Sequence, residues 1–216
     1  GGRKEYDMFD TVKIGKKIAE LRKSKDMTQF ELADAMGVSF QAVSNWERGN
    51  SMPDISKLAE LSEILGTTVD ELLGKKNPVV EKIINNEKID ASEVSRDEMI
   101  EAAAISKPRR VRIMIEDSGI ADIAPLLPFL DGDYIAELAD KYYDDNEKGL
   151  AVLMPFLDDD KIDELMERSA ADGRDISSFL PFASDEKIKD TARRYINEGK
   201  GIEKLLPFLD SGNLDE

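Results

Sequence analysis

Apolar residues recur every three or four positions along most of this chain, as expected for amphipathic α-helices. Two such stripes lie close together: Leu32, Ala33 and Met36 in the first, and Ala42, Val43 and Trp46 in the second. Thr28 and Glu31 match a capping box at the start of the first helix. Gly37 is suited to a left-handed turn at its end, and Ser39 is suited to cap the second helix. Residues 28–48 are therefore predicted to form two short helices joined by a tight turn.

The second of these helices is predicted to have two different sides, because successive residues rotate by roughly 100° about a helix axis. Its apolar stripe is expected to be buried. The opposite side carries Phe40, Gln41, Ser44, Asn45 and Arg48. Amide side chains pair with adenine in the major groove, and an aromatic or hydroxyl group can meet a thymine methyl group or a phosphate. This side is therefore predicted to contact DNA, although Ser39 is also explained as a cap alone and Arg48 as a solvated cation at a helix end.

These residues and their neighbours resemble the lambda-repressor-like helix-turn-helix family, which includes phage Cro proteins and bacterial regulators of the xenobiotic-response-element type. The resemblance extends from about Val12 to Leu73. The residues that carry it are Met27-Thr28-Gln29, Glu31-Leu32-Ala33, Gly37-Val38-Ser39, Val43 to Gly49, Pro53, Leu58-Ala59 and Asp70 to Leu73. It implies an all-α fold that begins with a five-helix DNA-binding domain. A small bundle whose exposed amide side chains bind nothing is the alternative.

The resemblance also implies roles for single residues. Gln29 would clamp a phosphate at the start of a helix, and positions 40, 41, 44 and 45 would approach base edges. Arg22 and Glu47 would form an ion pair that ties the first helix to the recognition helix. Phe40 stands where the family often has a polar side chain, so the base preference at that position is open.

Charge is distributed unevenly along the chain. Residues 1–77 contain 12 Lys and Arg against 13 Asp and Glu, whereas residues 78–216 contain 18 against 33. Only the first part is suited to approach DNA, because phosphates repel an acidic surface over about 8 Å at physiological salt. Its cations cluster at Lys13, Lys16, Lys17, Arg22, Lys23 and Lys25. Lys17 is a candidate phosphate contact, and a solvated helix face is the alternative for any one of these lysines.

The residue types exclude several kinds of chemistry. The chain has no cysteine and no histidine, so disulfides are excluded and a zinc site would need carboxylates alone. It also lacks a glycine-rich phosphate loop, a histidine base and a cysteine nucleophile, so we predict no enzyme activity, no cofactor and no metal. No run of about eighteen apolar residues or signal-peptide pattern is present. The expected location is the cytoplasm, on the nucleoid and away from membranes.

The C-terminal part contains a repeat. Pro-Phe pairs occur at 128–129, 155–156, 181–182 and 207–208, at spacings of 27, 26 and 26 residues. Each unit is predicted to contain a longer helix, such as Asp133–Tyr143, and a shorter one, such as Gly149–Leu157, with the proline near its end. Such units are expected to stack into a short helical solenoid. The Pro-Phe-Leu-Asp motif is predicted to supply core and cap positions rather than a binding site.

The predicted organisation has four parts. Residues 1–10 form an N-terminal arm, either derived from cloning or disordered, and residues 11–74 form the helix-turn-helix domain. Residues 75–94 are a linker or contain a short helix, and residues 95–216 form the helical-repeat domain, with helices at about 96–105 and after Pro108 as its first pair. The basic run at residues 107–112 either adds phosphate contacts or only neutralises neighbouring acids.

The predicted function is a sequence-specific DNA-binding transcription regulator, with repression as the expected mode. Two copies would read a pseudo-palindromic site in double-stranded DNA, because one short helix contacts too few bases. The homodimer would use the repeat domain or the outer face of the helix near Val69 and Leu72. The alternative is an adaptor, tethered to DNA, whose acidic repeat domain binds a basic protein or peptide.

Overall fold

The structure, a computed structural model, describes residues 9–209. Within this range the regular elements are all helical, which confirms the predicted all-α class. Of the described residues, 9–130 form one compact unit and 131–209 form a second. Most of the predicted N-terminal arm lies outside the described residues. No helix between residues 9 and 209 is long and apolar enough to cross a membrane.

The first unit begins with the five predicted helices. These are α1 (Thr11–Ser24), α2 (Gln29–Met36), α3 (Phe40–Glu47), α4 (Ile55–Leu65) and α5 (Val69–Leu73). Each helix starts at a residue whose side-chain oxygen accepts a hydrogen bond from a backbone N–H of the first turn, and these caps are Asp10, Thr28, Ser39, Asp54 and Thr68. Such caps pair amides that have no partner inside the helix. The local sequence therefore sets where each helix begins.

Three more helices belong to the same unit: α6 (Pro78–Ile84), α7 (Arg96–Ala104) and α8 (Pro108–Ser118). The segment predicted as a linker or a short helix thus contains α6, which packs against α4 and α7. Asn77 joins α6 to α7, since its Oδ1 atom accepts from Val79 N at 2.9 Å and its Nδ2 atom donates to the Glu98 carbonyl at 3.1 Å. The side chains of all eight helices share one apolar core.

Two residues near the ends of the five-helix domain are more buried than expected. Phe9, within the predicted arm, packs into the core and is only 7% exposed. Leu72 of α5 is 1% exposed, so the prediction that it lies on an outer dimerisation face is wrong. Its burial follows from the packing of α5 against α1 and α4.

The second unit contains α9 (Gly132–Asp145), α10 (Glu147–Leu153), α11 (Asp159–Ala171) and α12 (Asp185–Asn197). The Pro-Phe pair at 155–156 ends a short 3-10 turn, Met154–Phe156, directly after α10. Residues around Pro181 form turns instead of the shorter helix.

The repeated Pro-Phe-Leu-Asp motif divides into three structural roles. Its aspartates cap helices, with Asp131 accepting from Tyr134 N and Asp158 from Lys161 N. The apolar pairs before Pro155 and Pro181 are buried in the second unit, whereas before Pro207 Leu205 is buried and Leu206 is 46% exposed. Three of its phenylalanines, Phe156, Phe182 and Phe208, are exposed, whereas Phe129 is half-buried against the core of the first unit. The prediction that the motif supplies core and cap is therefore wrong for the phenylalanines at 156, 182 and 208.

Candidate nucleic-acid interface

The turn between α2 and α3 is built from local hydrogen bonds. Thr28 Oγ1 accepts from Glu31 N at 3.1 Å, and Ser39 Oγ accepts from Ala42 N at 3.1 Å. Gly37 has φ 63° and ψ 33°, the left-handed conformation that a glycine adopts without steric cost. These features confirm the predicted starts of both helices and the predicted turn.

The two sides of α3 have different environments. Val43 and Trp46 lie in the core, at 0% and 6% exposed, while Ala42 is half-buried. On the other side Phe40, Gln41 and Arg48 are exposed, and Ser44 and Asn45 are half-buried. Ser39 is exposed at the N-terminal end of the helix. The structure thus brings six of the predicted DNA-contacting residues together on or beside one helix face.

Three side chains on this face are joined by hydrogen bonds. Asn45 Oδ1 accepts from Gln41 Nε2 at 3.3 Å and from Arg48 Nη2 at 2.8 Å. Both bonds use the one carbonyl oxygen of Asn45, which has two lone pairs. Gln41 is left with its own carbonyl oxygen and a second amide hydrogen for a further partner. Asn45 therefore positions its two neighbours, and Gln41 presents an adjacent donor and acceptor.

An aromatic pair lies at the N-terminal end of the same face. The rings of Phe30 and Phe40 are stacked, with centroids 4.3 Å apart and planes inclined by 16°. Phe30, the second residue of α2, was not singled out from the sequence. Phe30 does not belong to the buried stripe of α2, which includes Leu32 and Met36. This position outside the stripe is the sequence feature that could have predicted its exposure.

A polar cluster behind the face connects α1, α2 and α3. Arg22 Nε lies 2.5 Å from Glu47 Oε1, and Arg22 Nη2 donates to Glu47 Oε2 at 3.1 Å. Arg22 Nη1 also donates to the Met27 carbonyl at 2.7 Å, and Gln29 Nε2 donates to Glu47 Oε2 at 2.7 Å. The two charged side chains are 10% and 8% exposed. This cluster fixes the start of α2 relative to the end of α3.

The Glu47 carboxyl responds to two opposed effects. Burial raises its pKa, but hydrogen bonds from Arg22 and Gln29 and the charge of Arg22 outweigh burial, so the pKa lies below its ordinary value. The same ion pair raises the pKa of Arg22, chiefly through the hydrogen bond with Glu47. Both groups are therefore held in their charged forms when the domain is folded.

This pKa shift predicts how the ion pair depends on pH. A carboxyl whose pKa is lower in the folded chain stabilises the fold above its unfolded pKa of about 4.3, and this contribution is lost as pH falls through the folded pKa. We expect the difference in free energy of unfolding between the wild type and Glu47→Gln to be constant near neutral pH and to shrink below about pH 4.3. Trp46 is the single tryptophan of the chain, so its fluorescence during urea denaturation measures this domain. A difference that stays the same down to about pH 3 would contradict the assignment.

Gly15 allows α1 to approach α3 closely. A Cβ atom at this position would lie 2.3 Å from the Trp46 carbonyl oxygen and 2.7 Å from that of Glu47. No real Cβ atom makes such contacts with backbone, so any larger residue must separate the two helices. Gly15 was not identified from the sequence because its contact partner lies 31 positions away.

The remaining cationic candidates lie elsewhere in the first unit. Lys17 is exposed on α1 and lies near Glu71 of α5, whose pKa its charge helps to lower. Lys107, at the start of the basic run, has its Nζ atom 3.6 Å from Asp54 Oδ2. Between residues 9 and 209 no group of three or more metal-ligating side chains is placed to hold a metal ion.

The five-helix arrangement and this exposed helix face define a helix-turn-helix protein of the lambda-repressor-like type. The chain belongs to the helix-turn-helix family, whose model matches residues 18–72. No solved structure matches the chain.

Several curated relatives are transcriptional regulators. The chain is 37% identical over 62 residues to the HTH-type transcriptional activator BcrR of Enterococcus faecalis, covering 29% of this chain and 30% of the activator. It is 31% identical over 64 residues to the cryptic phage CTXphi transcriptional repressor RstR of Vibrio cholerae, covering 30% of this chain and 57% of the repressor. It is 38% identical over 60 residues to the uncharacterized HTH-type transcriptional regulator y4dJ of Sinorhizobium fredii, covering 28% of this chain and 78% of that protein. The match thus covers less than two thirds of the length of the first two of these relatives.

Proposed function

We propose that this protein is a sequence-specific DNA-binding transcription regulator that represses by occupying an operator. The single observation that carries the proposal is the exposed polar face of α3, on which Gln41 has both a hydrogen-bond donor and an acceptor available. Recognition helices of this motif lie in the major groove and contact base edges with their N-terminal residues. The mechanism is binding, and it involves no covalent step.

Gln41 is assigned as the principal base-reading residue. A glutamine carbonyl can accept from adenine N6 while its amide donates to adenine N7, and this pairing distinguishes A·T from the other base pairs. Asn45 positions Gln41 through the 3.3 Å hydrogen bond, which uses the Asn45 carbonyl oxygen and leaves the Asn45 amide hydrogens for a base. Arg48, held by Asn45 at 2.8 Å, is assigned to a phosphate or a base at the end of the helix. Ser44 lies on the same face as a further contact.

Gln29 and Ser39 are assigned to the DNA backbone. Gln29 gives one amide hydrogen to Glu47 at 2.7 Å, so its second amide hydrogen and the backbone N–H groups of Gln29 and Phe30 remain for a phosphate, while the N–H of Glu31 is bonded to Thr28. Ser39 lies at the corresponding end of α3. Because Arg22 holds Glu47, which holds Gln29, the ion pair aligns the phosphate contact with the base-reading helix.

Residues 95–216 are assigned to association or to binding of an effector or protein partner. Association of two copies would place two recognition helices in successive major grooves about 34 Å apart. The exposed phenylalanines at 156, 182 and 208 support an association surface in this part of the chain. Its excess of acidic residues favours a position away from phosphates. We place the protein in the cytoplasm, on the nucleoid.

Selection of bound fragments from random duplex DNA tests this function. We expect an enriched pseudo-palindromic motif with half-site centres about 10 base pairs apart, and a solution mass of twice the 24.1 kDa chain. An enriched motif without symmetry, bound by a monomer, would retain base reading and remove the dimer. Binding that enriches no motif would overturn the proposed function.

A further inference from the structure

The stacked pair formed by Phe30 and Phe40 leaves much of its apolar surface exposed to water. Phe30 is 68% exposed and Phe40 is 38% exposed. Stacking two aromatic rings contributes about 0.5–1.5 kcal/mol beyond buried area. The outer ring surfaces nevertheless stay in water, where apolar area is unfavourable. The pair is therefore suited to bury these surfaces against a partner.

The position of the pair indicates where that partner lies. Phe40 is the first residue of α3, one residue after the cap Ser39 and one before Gln41. In a helix-turn-helix complex this end of the recognition helix is directed at base edges. Among the groups that base pairs display in the major groove, the C5 methyl group of thymine is the apolar one.

We propose that the Phe30–Phe40 stack recognises a thymine methyl group in the operator. This inference rests on the proposed function and adds a second base preference to it. The ring faces carry partial negative charge, so they disfavour phosphate oxygens and accept a methyl group. The ring centroid of Phe30 lies 4.3 Å from that of Phe40, and this stacking limits the motion of the Phe40 ring, which lowers the entropy lost when DNA binds. Phe40 is the contacting residue, and Phe30 is its positioning residue.

Replacing single thymines by deoxyuridine in the selected duplex tests this contact, because only the methyl group is removed. Burying one methyl group contributes about fourfold in affinity. We expect about a fourfold loss for wild-type protein at the contacted thymine. Phe40→Ala should bind the thymine and uracil duplexes equally, and Phe30→Ala should reduce the difference to below about twofold. Both side chains are exposed, so both variants should keep the helical circular dichroism of the wild type.

Ile196→Ala is the matched control, since Ile196 is an apolar side chain 59% exposed on α12 and is neither part of the helix-turn-helix nor one of the exposed phenylalanines. It should retain the full difference between thymine and uracil. The inference is overturned if the wild-type protein binds every uracil duplex as tightly as the thymine duplex. It is also overturned if replacing thymine by uracil weakens binding of Phe40→Ala as much as it weakens binding of the wild type, because the methyl group would then act through DNA shape. In either case the proposed function stands, provided that a motif was selected. A protein that selects no motif overturns both.

Discussion

Gly15→Ala is expected to destabilise the first unit by about 3 kcal/mol, the upper end of the usual range for overpacking. The added Cβ atom would lie 2.3 Å from the Trp46 carbonyl oxygen, and a backbone atom cannot rotate away as a side chain can. Alanine favours a helix over glycine by up to about 1 kcal/mol, so the steric effect must exceed this gain. Urea denaturation followed by Trp46 fluorescence measures the change.

The matched control for this variant is Gly132→Ala. Gly132 lies in the first turn of α9, and a Cβ atom there would have no heavy atom within 4 Å. Its free energy of unfolding, followed by circular dichroism, should change by less than about 0.5 kcal/mol. If Gly15→Ala were equally neutral, the close approach of α1 to α3 would not exist in solution.

Arg22→Met is expected to lower the free energy of unfolding of the first unit by about 3 kcal/mol, as found when one member of a buried ion pair is removed. The substitution leaves the Glu47 carboxylate without its cation in a site only 8% exposed. It also removes the donor that reaches the Met27 carbonyl. The start of α2 should become less fixed relative to α3, so DNA affinity should fall as well. Trp46 fluorescence and a DNA titration measure the two effects.

An exposed ion pair provides the comparison. At the C-terminal end of α12, Arg194 Nε lies 3.2 Å from Oε1 of Glu198, the residue that follows the helix, and the two side chains are 38% and 40% exposed. Arg194→Met should lower the free energy of unfolding much less than Arg22→Met does, because solvent screens exposed pairs. Equal effects of the two substitutions would show that burial of the Arg22–Glu47 pair does not matter for stability.

The sequence predicted the helix-turn-helix well because its signals are local. Thr28 and Ser39 accept hydrogen bonds from backbone amides three residues later, so their effect depends only on the neighbouring chain. Gly37 likewise determines its own backbone conformation. The apolar stripe of α3 placed Val43 and Trp46 correctly in the core. Such features do not require knowledge of where distant segments lie.

The features that the sequence did not predict depend on distant contacts. The stacking of Phe30 on Phe40 and the contact of Gly15 with Trp46 each join separate helices, and no local pattern specifies them. Leu72 was placed on an outer face because α5 is too short for its periodicity to distinguish inside from outside. The roles assigned to Gln29, Gln41 and Lys17 in DNA binding stay predictions, and Lys17 lies on the α5 side of α1.

The helix between the two predicted domains, α6, shows the same limit. Residues 75–94 appear polar, with one apolar cluster, and this composition suits either a linker or a short helix. In the structure the segment contains the helix α6, and Asn77 ties it to the rest of the unit, since this residue is 2% exposed and forms hydrogen bonds with both α6 and α7. A single buried asparagine is not distinguishable from a loop asparagine in the sequence alone.

The most direct test of base reading by α3 is the ratio of dissociation constants for the selected duplex and a scrambled duplex, measured at one salt concentration. We expect wild-type protein to prefer the selected duplex by at least about a thousandfold. Gln41→Ala should reduce this preference by about tenfold, through a contribution of about 1–3 kcal/mol, and should leave affinity for the scrambled duplex unchanged. Equal affinity of wild-type protein for both duplexes, or a Gln41→Ala effect of the same size on each, would contradict the account.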